Sequence, residues 1–134
     1  MRVAELMTED PITVTPRATV SDALELMVSH DVRHLPVVSH DRLVGMLSDR
    51  DLRGLFVPDR DLSGAYDASR LDVEVGDIMS TQALSVTTEQ DVDDAIEVLL
   101  EHRVGAVAVI HPLDGTLVGI VSYTDILREA QGRL

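Results

Sequence analysis

The chain has 134 residues, enough for one compact domain or two tightly fused small ones. Hydrophobic residues make up 45% and aromatics only 2%, so the core must be aliphatic and there is no aromatic platform for stacking single-stranded bases. The absence of cysteine excludes disulfides, thiolate metal sites and a cysteine nucleophile, and a net charge of −13 repels a nucleic-acid backbone. All basic residues other than histidine are arginine, as in GC-rich coding or in adaptation to salt. No run approaches the roughly 18 apolar residues of a membrane span, and the leading Met1-Arg2-Val3-Ala4-Glu5-Leu6-Met7 has no signal-peptide core. The expectation is a soluble, cytoplasmic protein with no membrane and no nucleic-acid partner.

In chain order, residues 3–7 predict a short helix and residues 12–14 a brief strand. The main helix follows. Thr19-Val20-Ser21-Asp22 places a capping hydroxyl three residues before an acid, and Val20, Ala23, Leu24, Met27 and Val28 recur on one face. Residues 35–38 form an apolar run of the kind buried on both sides of a sheet. The polar turn Ser39-His40-Asp41-Arg42 leads into a strand at 43–47, and a second helix starts near Ser48-Asp49. Residues 54–72, with Pro58, Gly64 and two acidic stretches, read as a connector with a short helical turn.

What precedes the connector returns after it. Val3-Ala4-Glu5-Leu6-Met7-Thr8 lies over Val75-Gly76-Asp77-Ile78-Met79-Ser80 at an offset of 72 residues. The same offset sets Ile12-Thr13-Val14-Thr15 over Leu84-Ser85-Val86-Thr87, His30 over His102, and Leu35-Pro36-Val37-Val38 over Val107-Ala108-Val109-Ile110. The second turn, His111-Pro112-Leu113-Asp114-Gly115, is longer, and the offset then becomes 74, with Leu43-Val44-Gly45-Met46-Leu47-Ser48 over Leu117-Val118-Gly119-Ile120-Val121-Ser122. Coincidence on this scale defines an internal duplication. The expected fold is α/β: two repeats, each helix-strand-helix-strand-strand-helix, packed sheet to sheet with pseudo-two-fold symmetry. The expected bounds are 1–56, a connector at 57–72, and 73–134. A repeat of about sixty residues buries too little surface to stand alone.

Three stretches carry a family resemblance: Asp10-Pro11-Ile12-Thr13-Val14, then His34-Leu35-Pro36-Val37-Val38, then Leu43-Val44-Gly45-Met46-Leu47-Ser48-Asp49-Arg50-Asp51-Leu52. They resemble the sequence pattern of CBS domains, and Leu117-Val118-Gly119-Ile120-Val121-Ser122-Tyr123-Thr124-Asp125-Ile126 repeats it. The resemblance implies a stand-alone, non-catalytic pair without a cofactor. Such a pair would take an adenine nucleotide (AMP, ADP or ATP) as regulatory ligand in the cleft between its repeats. It further implies a homodimer that signals to a regulated protein by changing inter-repeat or dimer geometry. Two other readings stand beside this one: a protein–protein scaffold with no physiological nucleotide, and a sensor of another adenosyl ligand such as S-adenosylmethionine.

The element Gly-x-x-Ser-x-x-Asp occurs twice, from Gly45 to Asp51 and from Gly119 to Asp125. Ser48 and Ser122 fall where strand gives way to helix, and Asp51 and Asp125 lie one turn on along the same face. An ionised aspartate only accepts hydrogen bonds, which suits a vicinal diol such as that of ribose. The resemblance likewise implies that the aspartate binds ribose and the hydroxyl residue sits beside the phosphate. It implies that Thr13-Val14 and Ser85-Val86 offer a hydroxyl and backbone groups to the base. Phosphate needs fixed positive donors, and the first copy supplies Arg33, His34, Arg50 and Arg53, with Pro36 in the neighbouring strand. In the second copy Gly105, Ala106, Ala108 and Thr124 replace Arg33, His34, Pro36 and Arg50. The two sites are therefore expected to differ, the first taking the more anionic ligand. The histidines have no metal-ligand spacing, and no Walker loop or nucleophile elbow is present, so neither a metal nor a catalytic set is expected.

Overall fold

The computed structural model describes residues 1–55 and 68–133. Most of the expected connector at 57–72 lies outside the described residues; the part within them, Ala68–Asp72, is a 3-10 turn. Among the described residues no helix is long and apolar enough to cross a membrane.

The first copy contributes helix α1 (Val3–Leu6), strand β1 (Thr8–Glu9), helix α2 (Val20–His30), strands β2 (His34–Ser39) and β3 (Arg42–Ser48), and helix α3 (Asp49–Leu55). The second contributes a 3-10 turn at Val75–Asp77, strand β4 (Ser85–Thr87), helix α4 (Val92–His102), strands β5 (Ala106–Ile110) and β6 (Leu117–Ser122), and helix α5 (Tyr123–Ala130). The mixed α/β duplication read from the sequence is thus present. The first main helix starts on the expected cap, the Asp22 amide donating to Thr19 Oγ1 at 3.2 Å, and the second starts on Asp91, whose Oδ1 accepts from the Asp93 amide at 2.9 Å. Both end on a left-handed residue, Asp31 and Arg103, with φ of 51° and 54°.

The chain forms two compact units that do not follow the repeat boundaries. One comprises Met1–Pro11, His40–Leu43 and Ala83–Leu134; the other comprises Ile12–Ser39 and Val44–Gln82. The segment that leads each repeat is built into the sheet of the other. In the first-named unit the sheet runs β1-β6-β5-β4, with Thr8 opposite Ile120 and Glu9 opposite Gly119. Its core is Val3, Val86, Ala95, Leu99 and the inward residues of β5 and β6. The other unit repeats this order in reduced form. β2 pairs with β3, Met46 bridges to Ser80, and Val14 bridges in parallel to Val37. Its core gathers Val20, Ala23, Met27, Leu35, Leu47 and Leu52.

Three local expectations change. The strand at 12–14 shrinks to a bridge at Val14. In the second copy the Ala108 amide donates to the Leu84 carbonyl at 3.2 Å, whereas Pro36 at the matching position has no N–H, so Ile12 loses that partner. The helix at 75–79 is reduced to a 3-10 turn at Val75–Asp77, whose Gly76 amide donates to the Pro16 carbonyl at 2.8 Å. The strand at Thr8–Glu9 was not expected, because two exposed polar residues carry no alternation to read.

The glycine of the repeated element has a packing reason. A Cβ on Gly119 would stand 2.6 Å from Met7 Sδ and 3.0 Å from the Thr8 carbonyl oxygen. One on Gly45 would stand 2.6 Å from Met79 Sδ and 2.8 Å from the Ser80 carbonyl oxygen. The methionine can swing aside, but the carbonyl is held by the backbone, Thr8 in strand β1 and Ser80 in its bridge to Met46. Gly119→Ala and Gly45→Ala are each expected to destabilise the protein by about 1–3 kcal/mol in urea unfolding. A neutral result would mean that the leading segments do not lie against β3 and β6.

Candidate functional site

At each strand-to-helix junction a serine and an aspartate close a reciprocal cap. The Ser48 amide and hydroxyl donate to Asp51 Oδ2 at 2.8 and 3.1 Å, and the Asp51 amide donates back to Ser48 Oγ at 3.3 Å. In the second copy the corresponding distances are 2.8, 3.1 and 3.4 Å between Ser122 and Asp125. The spacing Ser-x-x-Asp therefore builds a capping box that satisfies the free amides of the helix start. It engages one oxygen of each aspartate and directs the serine hydroxyl proton inward, leaving Oδ1 as the other face of the carboxylate.

A second backbone bond ties the strand ahead to the same junction. The Asp49 amide donates to the Arg33 carbonyl at 2.9 Å, and the Tyr123 amide donates to the Gly105 carbonyl at 3.1 Å. Arg33-His34 and Gly105-Ala106 are thereby held beside the starts of α3 and α5. Within one unit the fold thus assembles Arg33, His34, Ser48 and Asp51; within the other, Gly105, Ala106, Ser122 and Asp125. Arg33 and Arg50 are exposed and form no ion pair among the described residues. Arg53, 76% exposed, lies 3.7 Å from Asp49. Thr124 is exposed on the first turn of α5.

The strand residues contribute differently. Val14 is buried, its amide donates to the Pro36 carbonyl at 3.1 Å, and its carbonyl accepts from the Val38 amide at 2.9 Å, so both of its backbone groups serve the sheet. Thr13 beside it is half-buried. Ser85 is half-buried opposite Ala108 in β4, and Val86 is buried opposite Val109. Pro36, Ala106 and Ala108 are buried sheet residues that offer little but shape.

One residue at the second junction escaped the sequence reading. Thr8 Oγ1 donates to Asp125 Oδ1 at 3.5 Å, and Arg128 Nη1 lies 4.0 Å from the same oxygen. Arg128 is near in sequence, but Thr8 is 117 residues away and arrives only because β1 pairs with β6. Among the described residues no group of His, Asp and Glu is arranged to hold a metal ion.

The sequence pattern of the CBS domain family matches residues 3–57 and 75–132. The CBS domain-containing protein YhcV of Bacillus subtilis is 31% identical over 124 residues, covering 92% of this chain and 81% of that protein. An inosine-5'-monophosphate dehydrogenase of Rhodopirellula baltica is 32% identical over 126 residues, and this chain spans only 23% of it. Among solved structures, CBSX2 in complex with AMP superposes with a TM-score of 0.79 at 33% identity, covering 96% of this chain and 95% of that one.

Burial holds the half-buried His34 below the ordinary imidazole value; the Asp49 and Asp51 carboxylates pull it up and Arg33 pushes it further down. At neutral pH His34 is thus an uncharged donor and the arginines carry the positive charge. The unfolded chain takes up this proton more readily than the folded one. The stabilising contribution is therefore full above pH 6.5 and is lost as pH falls through the depressed folded value. An NMR titration of the His34 ring is expected to give a midpoint below 6.5, and His34→Gln should flatten the fall in stability over that window. A midpoint at or above 6.5 would contradict the burial.

Proposed function

The chain belongs to the CBS domain family, and on that premise we propose that it is a non-catalytic sensor binding an adenine nucleotide at its strand-to-helix junctions. The observation that carries the reading is the capped aspartate of the first junction. Asp51 Oδ2 is held by Ser48, and no donor among the described residues reaches Oδ1. A ribose supplies two adjacent hydroxyl donors, which suits an acceptor fixed in place and only partly engaged. Arg33 and Arg50 are exposed cations available to a phosphate, and His34 is a neutral donor. Thr13 and Ser85 are the side chains available to a base from the flanking strands.

Two likenesses support this. CBSX2 has been solved holding AMP, and it is alike over almost its whole length. The dehydrogenase is matched over less than a quarter of its length, so its activity does not come with the likeness. The ligand would be a regulator: its effect on a second copy of the chain or on a regulated protein is bounded by its differential affinity for two states, commonly about 1–3 kcal/mol of coupling.

Isothermal titration calorimetry with AMP, ADP, ATP and S-adenosylmethionine tests the reading. Saturable heat with at least one adenine nucleotide is expected. Asp51→Asn keeps an oxygen for the Ser48 amide, so the helix start survives, while removal of the charge should weaken binding by about tenfold or more. No heat with any of the four at millimolar concentration would leave the chain a scaffold. Unchanged affinity in both Asp51→Asn and Asp125→Asn would remove the ribose assignment.

A further inference from the structure

The two aspartates are not equally free, and the difference is visible as a count of acceptor sites. A carboxylate offers about four lone-pair positions. At each junction two donors of the capping serine fall on Oδ2. At Asp51 nothing among the described residues falls on Oδ1, which leaves as many positions as a vicinal diol has hydroxyls. At Asp125 the Thr8 hydroxyl and the Arg128 guanidinium both approach Oδ1, at 3.5 and 4.0 Å. The Asp125 side chain is only 12% exposed.

The cause lies in the sequence. Position 128 matches position 54 at the offset of 74, and there the first copy has Gly54, which has no side chain to offer. Thr8 matches Ser80, which makes no hydrogen bond to Asp51 among the described residues. We infer that the junctions are unequal nucleoside sites, and that two residues set the lower affinity of the second: Thr8, whose hydroxyl takes a position on the carboxylate oxygen a sugar diol would need, and Arg128, whose guanidinium stands beside that oxygen. This rests on the nucleotide-binding reading above. Thr8 and Arg128 act through Asp125, as positioning residues that a ligand must displace. Since Thr8 also belongs to β1, filling the second site would loosen the hold of that strand on the helix start.

Adenosine is the suitable probe, because it carries the diol without a phosphate that Arg128 would attract. In an amide NMR titration of the whole chain, the Ser48 and Ser122 amides report the two junctions separately, as each donates to its own aspartate at 2.8 Å. Ser48 is expected to saturate at lower adenosine than Ser122. In Thr8→Val/Arg128→Gln the Ser122 midpoint should fall by about fivefold, as two weak exposed contacts allow, with Ser48 unmoved. The reverse substitution is accessible as well: a Cβ on Gly54 meets nothing within 4 Å, and Gly54→Arg should raise the Ser48 midpoint. Equal midpoints in the wild type, or a Ser122 midpoint that stays or rises in the double variant, would overturn the inference and leave the nucleotide reading intact. If neither amide responds to adenosine, AMP or ATP, both fall together.

Discussion

At each junction a strand ends and a helix begins on one serine, and the first amides of that helix have no carbonyl ahead of them to bond. Asp51 and Asp125 supply the missing acceptor from one turn further on. The same side chain that closes the helix therefore fixes the position of a carboxylate to within a rotamer, on the rim of a sheet. The arrangement needs no ligand to hold it: four of the six short-range bonds of the two caps are 3.1 Å or less apart from the return amide bonds at 3.3 and 3.4 Å. What remains for chemistry is the second oxygen, already oriented before anything binds. Preorganisation of this kind lowers the ordering cost that a flexible carboxylate would impose on binding.

The glycine of the same element serves a different purpose. It lies in the strand, three residues before the serine, and lets the leading segment of the other repeat come down onto that strand. Met7 and Thr8 rest on Gly119; Met79 and Ser80 rest on Gly45. The glycine thus admits the segment, and the segment brings a hydroxyl residue toward the capped aspartate. At the second junction the hydroxyl arrives within hydrogen-bonding distance of Asp125. At that junction one sequence element couples sheet assembly to the state of the carboxylate.

Much of this was legible beforehand. The duplication, the caps of the main helices, and the places where strand turns to helix follow from local signals: periodicity, a hydroxyl before an acid, and a glycine at a fixed distance. The serine–aspartate pair was placed correctly on one face, because three residues make one helical turn. What could not be read depends on residues far apart in sequence. That Thr8 meets Asp125, and that each leading segment joins the other repeat's sheet, are facts of pairing between segments with no mutual pattern. The loss of the first strand was in principle readable, since Pro36 stands where Ala108 donates, but only once the parallel pairing of the second copy was known. That Ser48 and Ser122 cap the helices they precede shows only in the bond geometry.

Charge remains to be reconciled. A protein of net charge −13 is an unpromising host for an anion, yet the charges are spread over the whole chain. Beyond a Debye length of about 8 Å at physiological salt the distant carboxylates are largely screened. What an anion approaching either junction meets is the local set of charges. At the first junction that set is Arg33 and Arg50, with Arg53 partly engaged by Asp49 and His34 kept neutral by burial. At the second, Arg128 lies 4.0 Å from Asp125 Oδ1, so part of its charge is offset by that carboxylate. The overall acidity thus acts against long polyanions, whose affinity is the sum of many phosphate contacts. On the proposed reading a single nucleotide needs only one such contact, which Arg33 or Arg50 at the first junction would supply.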